Sequence, residues 1–337
     1  MVKDTHTGSG RLPVAVVLGM ILTVAFGLHL AETHTGTLEL RRAVREYGAA
    51  DSSTGSAAYP RRANDAEGYQ LTVVRPTRQV ASQYWSIDEY VYSVVPPEDV
   101  VSVSTYAYDR RYSNVYPLAE AFNPAISTDP EVILRLDPDL LLVSSEARAD
   151  FTDLVRNAGV PVFRASTDFR SLEEIDRTIL LTGYLTGRDG AAQRVHEQFQ
   201  QAVQRAMARK PPGAPSPRIL GYSGRYSYGT QTLFDDIVRA VGGVNVGAEN
   251  GLRGYEAIST EQIVRWNPEW IVSSGARGQT DAVLRRLMAD PAIALTAAAR
   301  TGQVLVLENN VFLPMSPFTT LALDALTEAL YGTNPGT

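Results

Sequence analysis

Cysteine is absent from the 337 residues. That excludes disulfides, thiolate zinc sites, iron–sulfur clusters and cysteine nucleophiles. Histidine is scarce. Of the four, His6, His29 and His34 lie near the N-terminus and only His196 stands in the body. A multi-histidine transition-metal site is therefore not expected, and free zinc or manganese is disfavoured as cargo. A net positive charge is missing too: 31 basic against 37 acidic residues leave −6. No general polyanion-binding surface follows, and nucleic acid is not expected as a partner. Nor is there a G-x-G-x-x-G, a Walker loop or a G-x-S-x-G elbow; GYSGRYSYG (221–229) spaces its glycines after a strand but fits none of these. His196, beside Glu197 and Gln198 on a helix, is read as solvated, and Asp176, Asp235 and Asp236 as helix-face charges. The chain is expected not to be an enzyme and to need no cofactor.

What remains is an ordinary globular composition, 44% hydrophobic and 20% charged, with 26 Gly and 19 Pro. At roughly 100–200 residues per domain this suits about two domains. The apolar run PVAVVLGMILTVAFGL (13–28) follows Lys3 and Arg11 and gives way to polar sequence at Glu32. That is the layout of an export signal, with Ala25 and Gly27 as a small-x-small cleavage site; an uncleaved anchor reads equally well. Residues 1–31 are therefore assigned as signal peptide or membrane anchor, and the chain as periplasmic or extracytoplasmic. Without cysteine, lipid attachment at an N-terminal cysteine is impossible. Residues 32–68, rich in Ala, Ser, Thr, Gly and Arg, read as a polar spacer with a short helix near 38–47.

From Tyr69 onward, strand and helix patterns alternate. Strands are expected at 69–74, 99–105, 139–145 and 160–166, and helices at 82–94, 129–136 and 151–159. A long helical stretch, 171–208, contains the glycine-bearing TGYLTGRDG and ends at KPPGAPSP (210–217), which cannot continue a helix. Alternation then resumes, with strands at 218–223, 269–275 and 303–309 and helices at 232–243, 260–267, 280–289 and 316–332. Short strands alternating with helices imply parallel βαβ units, hence an α/β chain with Rossmann-like sheets. STDPEVILRLDPDLLLVSS (127–145) repeats as STEQIVRWNPEWIVSSG (259–275). Glu131 aligns with Glu261, Arg135 with Arg265, Pro138 with Pro268, and Ser144–Ser145 with Ser273–Ser274. One supersecondary unit used twice implies two similar lobes.

Three segments in order, ISTDPEVILRLDPDLLLV, GGVNVGAENGLRGYEAISTEQIVRWNPEWIV and FLPMSPFTTLALDALTEALYG, resemble the periplasmic substrate-binding proteins of ABC importers. The similarity is to the helix-linked group serving cobalamin, ferric siderophores and haem, and covers about residues 70–333. The resemblance implies two Rossmann-like lobes bridged by one long helix, with the ligand in the cleft between them. The expected limits are 69–167 for the N-terminal lobe, 168–210 for the connecting helix and 211–334 for the C-terminal lobe. It also implies permease docking through one surface glutamate per lobe, here Glu131 and Glu261. A carboxylate in the first turn of a helix stays ionised and exposed, although acidic first turns behind Ser127/Thr128 and Ser259/Thr260 are normal without any partner.

Open parallel sheets bind ligands beyond the carboxyl ends of their strands, and those ends are aromatic and basic here. Tyr84 and Trp85 follow the first strand's turn; Tyr106, Tyr108, Arg110, Arg111 and Tyr112 follow the second; Ser145 and Arg148 follow the third. In the other half, Arg225, Tyr226 and Tyr228 follow the strand at 218–223, and Arg277 follows 269–275. Tyr and Trp supply rigid contact area, and Arg binds anionic groups through a fork of donors. Arginines on both lobes favour an anionic iron chelate such as a ferric siderophore, and a tyrosine-rich cleft suits haem or a corrinoid. The expected partners are that small molecule and an inner-membrane ABC permease, with the protein acting as a monomer. An anchored ligand-sensing or interaction domain is the alternative of another class.

Overall fold

The computed structural model describes residues 59–126, 129–312 and 314–332. The expected signal or anchor and most of the spacer, including the helix near 38–47, lie outside the described residues, as do Ser127 and Thr128. Among the described residues no helix is long and apolar enough to cross a membrane.

An antiparallel ribbon comes first: β1 (Arg61–Asn64) paired with β2 (Gln70–Val73). β1 thus falls within the expected spacer, and β2 does not open the parallel sheet as expected. The burial of β2 alternates, with Leu71 and Val73 inside and Gln70 and Thr72 outside. That pattern suits a half-solvated ribbon rather than a strand covered on both faces. The first parallel strand is instead β3 (Val80–Ser82), three buried residues that are too short to signal themselves.

The N-terminal lobe runs β3, α1 (Trp85–Val94), β4 (Val100–Val103), α2 (Tyr116–Phe122), β5 (Ala125–Ile126), α3 (Pro130–Leu136), β6 (Leu140–Ser144), α4 (Ala149–Asn157), β7 (Val162–Ala165). Its five strands lie in the order β5-β4-β3-β6-β7, all parallel. Two helices follow, α5 (Leu172–Thr186) and α6 (Asp189–Arg209). The C-terminal lobe runs β8 (Arg218–Ser223), β9 (Tyr226–Tyr228), α7 (Leu233–Ala240), β10 (Val244–Asn245), α8 (Val246–Glu249), β11 (Tyr255–Ala257), α9 (Thr260–Trp266), β12 (Trp270–Gly275) and α10 (Thr280–Met288). It closes with α11 (Pro291–Ala294), α12 (Ala297–Arg300), β13 (Val304–Glu308), α13 (Asn309–Phe312) and α14 (Thr320–Tyr331). Its sheet is β11-β9-β8-β12-β13. One edge of β8 is shared, the first half taken by parallel β10 and the second by antiparallel β9.

The internal repeat is visible in three dimensions. α3 and α9 each end on a left-handed residue, Asp137 (φ 46°) and Asn267 (φ 43°), followed by a proline that bars further helix. Each cap donates its N–H to a buried isoleucine carbonyl, Ile133 or Ile263, and the chain then enters β6 or β12.

The connection at 168–210 is two helices rather than one. Gly187, at φ 75°, ends α5, and α6 folds back against it. Gly183 and Ala192 approach so closely that a methyl on Gly183 would overlap Ala192. Contrary to expectation, His196 is not solvated: its Nδ1 lies 2.7 Å from Asp176 Oδ1, and Gln200 Nε2 donates to Asp176 Oδ2 at 2.6 Å. Asp176 is therefore the polar lock of the hairpin, since a buried carboxylate needs such partners. Asp235 and Asp236 are likewise more than helix-face charges. Asp235 accepts from Asn245 Nδ2 at 3.0 Å, and Asp236 accepts the otherwise unpaired Leu172 N–H at 2.8 Å, capping α5 from the other lobe.

α6 is the longer strut of the bridge, about 30 Å long for its 21 residues. Its first turn is bound to the N-terminal lobe, where Arg61 pairs with Asp189 at 2.7 Å and Arg188 with Asp99 at 2.5 Å. Its last turn reaches α14 through Arg209 and Glu328, 3.1 Å apart. A single apolar cluster spans both lobes through this hairpin, from Tyr90 and Val94 through Ile175, Ile179, Ala192 and Phe199 to Ile237, Leu323 and Leu326. Close-packed contact of that extent resists sliding.

Candidate functional site

The carboxyl edges of the two sheets meet. Asn114, downstream of β4, donates from Nδ2 to the Asn310 carbonyl at 2.8 Å, and Asn310, just past β13, donates from Nδ2 to Asn114 Oδ1 at 3.2 Å. Asp168, downstream of β7, raises the phenol of Tyr255 on β11, adding to the larger effect of burial. These contacts bring the loops at the two carboxyl edges against each other.

The C-terminal edge is hollow. A cavity of about 310 Å³ is lined by Tyr226, Tyr228, Phe234, Tyr255, Phe312 and Met315, with Ser223 at its lip and Leu233, Ile237, Ala322 and Leu326 behind. Its rings pack around Tyr228: Phe234 at 4.9 Å between centroids, Tyr255 edge-on at 5.4 Å and Phe312 edge-on at 5.9 Å. Burial pushes the Tyr228 phenol up to about 12, so it stays neutral. Tyr226 and Tyr255, each 51% exposed, are the solvent-facing members of the lining. Gly221 makes room for the aromatic packing, because a methyl there would sit 2.5 Å from the Tyr228 ring and 2.8 Å from that of Phe234.

Of the thirteen expected ligand residues, the structure brings Tyr226 and Tyr228 into this cavity, with Arg225 in the adjoining turn. Tyr84 and Trp85 touch each other on the opposite edge, 6.0 Å between centroids, and Tyr106 stands half exposed after β4. Others have internal duties. Tyr108 donates its hydroxyl to the Pro124 carbonyl at 2.9 Å. Ser145 offers its carbonyl to Arg164 Nη2 at 2.9 Å. Arg148, 83% exposed, pairs with Asp150 and borders a separate shallow depression beside Gln83, Phe151 and Leu154.

The arginines are mostly closed on carboxylates. Arg110 is held by Tyr116 and by Glu120 at 3.5 Å, its guanidinium 4.1 Å from the Tyr116 ring centroid. Arg111 pairs with Asp109 at 2.6 Å, which holds the Asp109 carboxyl below the usual range, and flanks the Tyr112 ring at 5.7 Å. Arg277 pairs with Glu308 at 3.1 Å. Among the described residues Arg225 has no carboxylate partner.

Glu131 and Glu261 both lie exposed in first turns, of α3 and α9. The caps differ in kind. Asp129 accepts the Glu131 N–H at 2.9 Å, whereas Ser259 and Gln262 form a reciprocal capping box. The Glu261 carboxyl is held below its usual range by a hydrogen bond from Ser259.

Sequence reasoning missed Phe234, Tyr255, Phe312 and Met315, which arrive from three separate segments. It also missed two fully buried acids on α1. Asp88 accepts from Ser82 at 2.5 Å and from Ser104; burial pushes it up to about 6. Glu89 accepts from Asn114 and Ser316 and is pushed up to about 7, again chiefly by burial. No periodic signal marks them, because α1 is buried on nearly every face.

A family model for periplasmic binding proteins matches residues 80–311, from β3 into α13. A cobalamin-binding protein of Halobacterium salinarum is 27% identical over 260 residues, 75% of this chain and 69% of that protein. The Fe(3+) dicitrate-binding periplasmic protein FecB of Escherichia coli is 23% identical over 185 residues, 55% of this chain and 61% of that protein. Among solved structures, the periplasmic haem-binding protein RhuT from Roseiflexus sp. RS-1 in apo form superposes with a TM-score of 0.63 at 24% identity, covering 76% of this chain and 98% of that one.

Proposed function

Because the chain belongs to the periplasmic binding protein family, we propose that it is the capture component of an ABC importer whose cargo is a corrinoid. The cargo lies in the interlobe seam with one edge in the aromatic cavity of the C-terminal lobe. The observation that carries this reading is the contrast between ring surface and charge. The cavity is lined by the rings of Tyr226, Tyr228, Phe234, Tyr255 and Phe312, while Arg110, Arg111, Arg148 and Arg277 are each paired with a carboxylate at the surface. A large flat ligand gains from stacking, about 0.5–1.5 kcal/mol per aromatic pair beyond area. A compact polyanion would have to compete for guanidinium groups already engaged. Resemblance to the Halobacterium cobalamin-binding protein supports the same cargo.

Trp85, Tyr84 and Tyr106 on the facing edge close over the exposed side of the ligand, with Arg225 reaching a peripheral polar group. Glu131 and Glu261, exposed on matching helices of the two lobes, orient the loaded protein on basic residues of the permease. Their contribution is to encounter and register more than to affinity. The protein binds and releases its cargo unchanged. The packed core across the hinge restricts closure to a small motion around a largely preformed site.

An anionic iron chelate is the second reading, favoured by Arg225, which has no carboxylate partner among the described residues. Calorimetric titration with cyanocobalamin, haemin and ferric dicitrate separates the two. Tightest binding of cyanocobalamin is expected; preference for ferric dicitrate would overturn the corrinoid reading. A Glu131→Lys/Glu261→Lys protein that keeps its affinity but no longer supports uptake is the expected docking result, and undiminished uptake would refute the docking role.

A further inference from the structure

Glu89 is 1% exposed and lies on α1 of the N-terminal lobe. Among the described residues no cation pairs with it, and the charge acting on it is that of its neighbour Asp88. Its carboxyl collects donors from two directions. Asn114, in the loop after β4, gives its backbone N–H at 3.2 Å and its Nδ2 at 2.9 Å to Oε1. Ser316, beyond the C-terminal sheet and 227 positions away in sequence, gives its hydroxyl to Oε2 at 2.5 Å. Asn114 also exchanges hydrogen bonds with Asn310. Between Asn310 and Ser316 lie Phe312 and Met315, two walls of the aromatic cavity.

The clasp and the cavity wall are therefore the same few residues. Ser316 is anchored in turn: it is fully buried, its Oγ accepts the Phe318 N–H at 3.2 Å, and it opens the 3₁₀ turn Pro317–Thr319 that leads into α14. A buried carboxylate whose partners come from two lobes ties those lobes together, because parting them strands either the acid or its donors.

We infer that Glu89 is a positioning residue for the ligand cavity, clasping the lobes through Asn114 and Ser316 so that Phe312 and Met315 are held in place. The binding part of this inference rests on the cargo site proposed above. Burial outweighs the donated hydrogen bonds at Glu89, so the clasp holds best when the acid carries its proton and loosens as pH rises through about 7. The groups facing it from the packed elements, Asn114 and Ser316, do not titrate. Asp88 on its own helix does, and pushes in the same direction.

The test combines amide exchange with cyanocobalamin titration, on the wild type, Glu89→Ala, Glu89→Gln and Ser316→Ala. Glu89→Ala and Ser316→Ala are expected to speed exchange in 309–312 and 316–319 and to weaken binding about tenfold. Glu89→Gln, which mimics the protonated acid, should keep affinity while flattening its fall between about pH 6 and pH 8. Folded Glu89→Ala and Ser316→Ala proteins with unchanged exchange would overturn the clasp. Faster exchange with unchanged affinity would overturn its link to the cavity. A wild type blind to cyanocobalamin would defeat the cargo reading alone, and exchange would still decide the clasp.

Discussion

In the N-terminal lobe every strand of the sheet runs parallel, and the loops after the strands carry arginine–carboxylate pairs with Tyr84, Trp85, Tyr106, Tyr108 and Tyr112 among them. In the C-terminal lobe the same α-helix–proline–strand unit recurs at α9–β12, but β8 also pairs with antiparallel β9 and, through it, β11. That added ribbon brings Tyr226, Tyr228 and Tyr255 together and creates the hollow. Duplication thus accounts for the scaffold, the left-handed caps and the matched surface glutamates; the aromatic hollow comes from what was added to one copy. Each experiment below either breaks this asymmetry or sharpens it.

The largest effect is expected from truncating one buried ring in each lobe. Phe234→Ala and Phe163→Ala each remove a nearly fully buried ring and should lower unfolding free energy by about 3–5 kcal/mol in denaturant titrations. Only Phe234→Ala should also weaken ligand binding; equal binding losses would dissolve the distinction. Next is Gly221→Ala. Its methyl drives the Tyr228 and Phe234 rings into the hollow, an overpacking worth about 1–3 kcal/mol. A cavity shrunk from within should bind less cargo, while the N-terminal sheet keeps its exchange protection.

A smaller, pH-dependent difference follows from the two buried acids, both in the N-terminal lobe. Their folded-state positions, about 6 for Asp88 and about 7 for Glu89, lie above those of a solvated carboxyl. The folded protein therefore holds these protons more tightly than the unfolded chain. The stabilisation is present in full below the ordinary carboxylate range and is lost as pH rises through 6 and then 7. Melting temperature should fall by several degrees between mildly acid and mildly alkaline buffer. Asp88→Asn/Glu89→Gln should remove most of that slope, and a slope left intact would assign it elsewhere. The smallest effect tests the symmetry itself: Asp129→Ala and Ser259→Ala should each cost about 1 kcal/mol and leave cargo affinity alone.

The scaffold was legible where apolar periodicity ran long enough. RILGYS lands on β8, TEQIVRWN on α9 and TDAVLRRLMA on α10 within a residue or so, and the repeat disclosed one α-helix–proline–strand unit used twice, though not the left-handed caps that end its helices. Legibility failed for pieces of two or three residues, β3, β9 and β11 among them, which are strands only because a neighbour pairs with them. It failed also for the helical connection, where three glycines in TGYLTGRDG permitted a bend without dictating a full reversal; Gly187 and the contact of Gly183 with Ala192 decided it. The candidate site was half visible. Tyrosines at strand ends are a local signal, but Phe312, Met315 and the partnership of Glu89 with Ser316 depend on contacts spanning most of the chain. The arginines misled in a specific way: their carboxylate neighbours, Asp109 and Asp150, stood two positions away in plain sight, and only geometry showed them satisfied.

The ion pair between Arg61 and Asp189 sits beside Arg188, whose guanidinium reaches the Thr77 carbonyl and Asp99 just ahead of β3 and β4. The chain leading into β1 therefore joins the folded body at the amino ends of the parallel strands, on the side remote from the seam. A linker, label or surface attachment introduced ahead of Arg61 would grip the molecule from behind, leaving the mouth between Tyr226 and Tyr255 turned outward and both matched glutamates free to meet a partner.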